Sequence, residues 1–301
     1  MKALETVTRI SLKNILYTTD FSPTAEAAAP YAWEIAKRYG AKVIALHVRP
    51  PEVNGMVPPE SWAAVHEAND RQAREQAGHL RSLFRGVENE VEVIEGAIWD
   101  VISRTIEEKK VDLLVTGTHG REGLGKMVMG SHAENILRHS PVPVLVVGPY
   151  VRSEPETTAR MKRILFATDF SEASLAALAH AISLAEENQA ELDILRVVPP
   201  QKSGELVNPS DLMDATVRQM KQLVPMEAEA WCKPHYLAEV GEPAPKILQV
   251  AELSKADLIV LGVKRVHRAL GVTHIPWTIA HKIIAEARCP VLTVRTERNP
   301  S

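Results

Sequence analysis

The sequence predicts an α/β protein of two tandem domains, each a parallel sheet covered by helices on both faces. Three observations carry this expectation. The chain has 301 residues, 45% hydrophobic and 24% charged, which suits two domains of about 150 residues. It also repeats itself: "KNILYTTDFSPTAEAAAPYAWEIAKRYGAKVIALHV", Lys13 to Val48, aligns without gaps on "KRILFATDFSEASLAALAHAISLAEENQAELDILRV", Lys162 to Val197, with Asp20 opposite Asp169. Further on, Gly96 pairs with Gly241, Gly117 with Gly262, and "PVLVV" from Pro143 with "PVLTV" from Pro290. Within each copy, short runs rich in Val, Ile and Leu alternate with longer stretches of helical period.

In chain order, "ILYTTD" is the first apolar run and reads as a strand buried on both faces. "SPTAEAAAPYAWEIAKRYG" follows as a helix, with Ser22 as N-cap, Pro23 at the first helical position and Gly40 at its end. "KVIALHV" is the second strand, and "PESWAAVHEANDRQAREQAGHLRSLFRG" carries the spacing of a second helix. "EVEVIEG", the helix "DVISRTIEEKK", "VDLLVTG", the helix "SHAENILRH" and "PVLVVG" complete the first copy. The polar segment "PYVRSEPETTARMK", with Pro149 and Pro155, is the expected linker. Domain 1 is placed at residues 1–150 and domain 2 at 160–298.

Composition bounds the function. A net charge of −3 gives no global basic field for nucleic acid or an anionic membrane. No run of about 20 apolar residues occurs, and the N-terminus lacks the apolar core of a secretory signal, so a cytoplasmic location without membrane contact is expected. Cys232 and Cys289, with no CxxC pair and no histidine at ligand spacing, fit buried thiols better than a disulfide frame or a zinc site.

One stretch carries chemistry. "GTHGREGLGKMVMGS" follows the fourth strand of the first copy and has the spacing Gly117-x2-Gly120-x9-Gly130-Ser131, with Gly123 and Gly125 between. Glycines let main-chain N–H groups face a ligand with no Cβ in the way. Ser131 opens a helix, so its hydroxyl and the positive end of the helix dipole face the same hollow, where a phosphate chain fits. A long connector with a serine cap is the alternative. Asp20, closing the first strand, either caps the following helix or meets a ligand. His119 and His132 read as exposed loop histidines, and Arg121 and Lys126 as solvated loop charges.

Taken together, "TTDFS", the strand ending "LHV", and G-x2-G-x9-G-S before "AENILRHSPVPVLVV" resemble the universal stress protein family over nearly the whole chain. The resemblance implies tandem doubly wound domains, each with five parallel strands in the order 3-2-1-4-5, and ATP binding as in the family's nucleotide-binding members. It implies that Asp20 and the backbone of Val48 hold the adenosine end. Gly117, Gly120, Gly130 and Ser131 would hold ribose and phosphates, with Mg²⁺ alongside. Enzymes on this fold use HxGH or SGGxDS phosphate motifs, and neither these nor a P-loop is present. The expectation is therefore an ATP-binding regulatory stress-response protein and not an enzyme; a slow ATPase and a nucleotide-free scaffold are the alternatives. An unidentified protein partner, an intrachain pseudo-dimer of the two domains through their last strands, and pairing with a second copy complete the expected contacts.

The second copy departs from the pattern. There Arg265 stands for Gly120, the loop is two residues longer, and Trp277 and Thr278 replace Gly130 and Ser131, with Pro276 before them. An indole is expected to fill the hollow and Pro276 to remove a donor. The cluster Lys264, Arg265, His267 and Arg268 reads as a solvated basic loop. One ATP per chain is expected, in domain 1.

Overall fold

The computed structural model describes residues 10–50, 62–118, 130–151, 159–200, 208–264 and 275–296. In the first half the strands are β1 (Asn14–Thr19), β2 (Lys42–Arg49), β3 (Asn89–Glu95), β4 (Leu113–Gly117) and β5 (Val144–Val147). The helices between them are α1 (Pro23–Tyr39), α2 (Trp62–Leu83), α3 (Ile98–Glu108) and α4 (Ser131–His139). The second half repeats this with β6 (Arg163–Ala167), α5 (Glu172–Asn188), β7 (Glu191–Val198), α6 (Pro209–Lys221), α7 (Met226–Cys232), β8 (His235–Val240), α8 (Pro243–Ser254), β9 (Leu258–Gly262), α9 (Ile275–Glu286) and β10 (Val291–Val294).

The first half has the strand order β3-β2-β1-β4-β5, all parallel. The second half mirrors it as β10-β9-β6-β7-β8. The two sheets are one. β5 pairs antiparallel with β10, Val146 opposite Val291 and Leu145 opposite Leu292, giving a ten-stranded sheet with a pseudo-twofold at its centre. Each of these strands would otherwise be an unpaired apolar edge, and their pairing removes both.

Alternation along the strands divides the core into two layers that each cross the seam. Ile15, Tyr17, Val43 and Leu145 share one layer with Ile164 and Phe166, under α1, α2 and α5. Leu16, Ile44, Leu114 and Val146 share the other with Leu165 and Ile259, under α3, α4, α8 and α9. Polar contacts brace the junction: the Tyr39 hydroxyl lies 3.2 Å from that of Ser183, and the Arg295 guanidinium donates to the carbonyls of Leu137 and Arg138 at the end of α4. That places a cation on the negative end of the helix. Cys232 and Cys289 are free and buried, and burial pushes the Cys289 thiol up to about 12.

Helix α1 follows its sequence signals. The Ser22 hydroxyl accepts from the Ala25 amide, Pro23 starts the helix, and Gly40 ends it in the left-handed region at φ 63°. Among the described residues no helix is long and apolar enough to cross a membrane.

Candidate functional site

The turn after β1 sets the first wall of the site. Asp20 Oδ1 accepts the Ser22 amide at 3.0 Å, closing a turn over Phe21, which takes φ 60°. A non-glycine residue there stores strain of roughly 1–3 kcal/mol and persists only where its surroundings impose it. The ring is held by His47, 4.7 Å away centroid to centroid. His47 is buried at the end of β2 and lies 2.8 Å from the Thr19 carbonyl through Nδ1. A carbonyl only accepts, so Nδ1 carries the proton, and in the neutral ring Nε2 is an acceptor.

The second copy builds the same corner with different chemistry. Asp169 Oδ1 accepts from the Ser171 amide at 3.0 Å, and Phe170 takes φ 62°. Arg196 replaces His47, donating to the Thr168 carbonyl and lying over the Phe170 ring at 5.2 Å. A permanent cation therefore fills the place of an imidazole. Burial alone would raise the Asp169 carboxyl. Hydrogen bonds from Ser171 and Ser174 and the Lys264 charge outweigh it and hold the group below its ordinary value.

The described glycines of the loop answer to different demands. A Cβ on Gly117 would stand 2.6 Å from Thr24 C and Ala25 N. That close approach of β4 to the first turn of α1 demands glycine whether or not a ligand is bound. Gly262 meets the backbone of Ala173 and Ser174 in the same way, so the second copy keeps its glycine for packing. Gly130 is the N-cap of α4 with φ −59° and ψ 146°. That backbone is open to any residue, so what glycine contributes there is an unobstructed approach. Ser131, the cap of the connector alternative, is instead the first helical residue, and the N-cap Gly130 brings no side chain to cap α4. The N–H groups of the helix's first turn are thereby left facing outward. Gly120, Gly123, Gly125, His119, Arg121 and Lys126 lie outside the described residues, as do Arg265, His267 and Arg268.

The surviving pieces meet in one cleft of about 730 Å³, within the range of small-molecule sites. Asp20, Val48, Gly117, Gly130 and Ser131 all line it. It lies beyond the carboxyl ends of β1, β2 and β4, where the strand order reverses, as ligand sites in open α/β sheets do. Leu46, Ile98, Ile102 and Ile136 give it an apolar floor, and α2 adds the amides of Asn69, Gln72 and Gln76 at helical spacing. Thr18 Oγ1, Arg49 Nε and Gln76 Oε1 are buried without a hydrogen-bond partner among the described residues, and all three residues line this cleft. Buried polar atoms are almost always paired. Their clustering leaves the lining of this cleft with hydrogen-bonding capacity to spare.

Sequence reasoning missed Thr18, His47, Thr116 and Gln76. A signal existed for the first three in the repeat itself. The matching residues of the second copy are Ala167, Arg196 and Leu261, so the cleft's polar residues are where the copies differ. Gln76 had no such signal. In the second half α9 begins at Ile275, three residues before Thr278, the counterpart of Ser131. Trp277 thus falls inside a helix where Gly130 sits at a helix entry. Among the described residues no group of three or more His, Cys, Asp or Glu side chains gathers to hold a metal.

A doubly wound sheet with a cleft at its switch point and a helix N-terminus facing that cleft defines an α/β protein of the open, doubly wound class. The universal stress protein family model matches residues 11–148 and again 161–295. The chain belongs to that family, as a tandem of two of its domains. A universal stress protein of Methanocaldococcus jannaschii is 34% identical over 138 residues, 45% of this chain and 81% of its own length. A solved universal stress protein of Archaeoglobus fulgidus superposes with a TM-score of 0.69 at 21% identity, over 97% of this chain and 99% of its own, and so shares the whole tandem fold. A universal stress protein solved in complex with cAMP is 27% identical over 46% of this chain and 98% of its own, with a TM-score of 0.31.

Proposed function

We propose that the first domain binds ATP and that the chain is a regulatory stress-response protein whose partner affinity follows its nucleotide state. The phosphates and their Mg²⁺ lie at the start of α4, against the amides of the first turn and the Ser131 hydroxyl. The adenosine lies across the ends of β1 and β2, beside Asp20 and the backbone of Val48. One observation carries this reading: a single cleft joins Asp20, the glycine-started N-terminus of α4 and an apolar floor, and Thr18, Arg49 and Gln76 each keep in its lining a buried polar atom with no partner among the described residues. A helix N-terminus supplies donors and a favourable field for an anion.

The second domain is the built-in partner that completes the sheet, with Arg196 and the longer α9 in place of His47 and the Gly130 cap. The proposal is for binding without turnover, since Asp20 already commits one carboxylate oxygen to the Ser22 amide. Mass spectrometry of nucleotide released from gently purified protein tests it. ATP at one equivalent per chain is the expected result; a chain that neither retains nor rebinds nucleotide is a scaffold, and sustained phosphate release would make it an ATPase.

A further inference from the structure

The ten-stranded sheet ends on two unequal edges, β3 and β8. An edge strand presents a row of unpaired N–H and C=O groups, which proteins guard with charge or cover. Strand β3 carries Glu90, Glu92 and Glu95. Pairing it antiparallel with the β3 of another molecule about Glu92 sets that glutamate against itself, and pairing about Val91 sets Glu90 against Glu92. Like charges directly opposite destabilise a strand pair. The sheet end in domain 1 therefore repels its own kind.

Strand β8 is built differently. Among the described residues it pairs with β7 alone, none of its six residues is buried, and Val240 is 46% exposed. Leu237 packs on the core layer of Leu165, while Tyr236 and Ala238 pack on the other. His235, Leu237 and Glu239 thus share one face, and the ends of that row carry opposite chemistry. His235 Nδ1 lies 3.0 Å from Oδ1 of the buried Asp193, with the imidazole half exposed. Glu239 reaches Lys246 at 3.4 Å, with its carboxylate also partly exposed.

We propose that β8 is a docking edge for a second molecule of this chain, pairing antiparallel with that molecule's β8 about a twofold through Leu237. In a parallel ladder, alternate residues turn their N–H and C=O groups away from the neighbouring strand. Outward groups meet outward groups only when a residue, and not a peptide bond, lies on the axis. With Leu237 there, His235 faces Glu239 of the other molecule twice, and Tyr236 faces Ala238 twice. Opposite charges and a large side chain against a small one both favour the pairing. As an imidazolium, His235 donates to Asp193 through Nδ1 and to the facing carboxylate through Nε2. The chain already joins its own two domains by this device, in the antiparallel pairing of β5 with β10. The contact is isologous and closes at two molecules.

Sedimentation and light scattering of the full chain over a concentration series test it, together with hydrogen exchange read strand by strand. The mass rises to that of two chains, and the amides of β8 gain protection along the same curve while those of β3 do not. Glu239→Lys, at a partly exposed side chain, replaces two attractive pairs by two repulsive ones. It weakens the dimer by about tenfold or more and leaves the circular dichroism of the fold unchanged. The exchange measurement needs no variant, so it decides the matter even where Glu239→Lys fails to fold. Four results overturn the assignment: a mass of one chain at every concentration, a dimer whose β8 amides exchange as in the monomer, a dimer indifferent to Glu239→Lys, or growth past two chains, which β8 against β3 in an open row would give.

Discussion

Replacing Gly117 and Gly262 by alanine, one at a time, separates packing from ligand binding as the reason for these glycines. A Cβ on Gly117 would sit 2.6 Å from Thr24 C and Ala25 N and 2.7 Å from Thr24 O, where ordinary contact begins at 3.4 Å. All three atoms are backbone in the first turn of α1. That turn is pinned by the Ser22 cap and by the Tyr17 hydroxyl, which donates to the Ala25 carbonyl at 2.8 Å. Nothing can swing aside, so strand and helix must part by most of an ångström. Overpacking of this kind costs about 1–3 kcal/mol. The displaced turn adjoins Asp20 and Ser22, so Gly117→Ala lowers ATP affinity together with stability. Gly262→Ala meets the same backbone wall at Ala173 and Ser174 and loses a similar ~1–3 kcal/mol, although its domain lacks the rest of the glycine pattern. Urea unfolding of both variants measures this. A Gly262→Ala change within about 0.5 kcal/mol of neutral, or a Gly117→Ala protein that lost ATP at full stability, would refute the packing account.

Three further outcomes are expected. Ser131→Ala weakens ATP binding while changing stability by no more than about 0.5 kcal/mol, because Gly130 and not Ser131 is the cap; a loss of stability at unchanged affinity would return Ser131 to a capping role. Val146→Pro, facing Val291 across the seam, removes a ladder position from the centre of the sheet and re-exposes two apolar edges, so the domain pair loosens and aggregates; light scattering unchanged from the unsubstituted chain at high concentration would count against the fused sheet. Hydrogen bonds from Lys109 and then Lys42 hold the Glu90 carboxyl down to about 2 from an ordinary 4.5. A depressed folded-state value means that the stabilisation is present above about 4.5 and is lost as pH falls towards 2. Glu90→Gln flattens the unfolding midpoint against pH across that window, and an unchanged slope would show that the network contributes nothing.

The fold was legible because its signals are local and occur twice. Ser22, Pro23 and Gly40 bracket α1 in both sequence and structure, and the period of the apolar runs marks each strand. The union of β5 with β10 was legible too, since the order 3-2-1-4-5 leaves each as an apolar edge. The site was harder to read. Spacing identifies a glycine but not the atom that demands it, and at Gly117 that atom belongs to α1, ninety residues away in sequence. The serine before "AENILRH" looks like a cap, yet the chain turns one residue earlier. Thr18 and Thr116 in the lining of the cleft are inconspicuous in a strand, where β-branched residues are ordinary; only their neighbours in space, and the apolar residues at the same places of the second copy, single them out.

The central claim is one competent nucleotide site, in the first domain. Isothermal titration of the full chain with ATP tests it most directly, alongside Gly130→Val and Asp169→Ala. Valine adopts the φ −59°, ψ 146° backbone of Gly130 without strain, so that variant folds and presents a side chain where the phosphates approach. The account predicts a stoichiometry near one per chain, abolished by Gly130→Val and unchanged by Asp169→Ala. Two equivalent sites, or a single site lost on replacing Asp169, would contradict it.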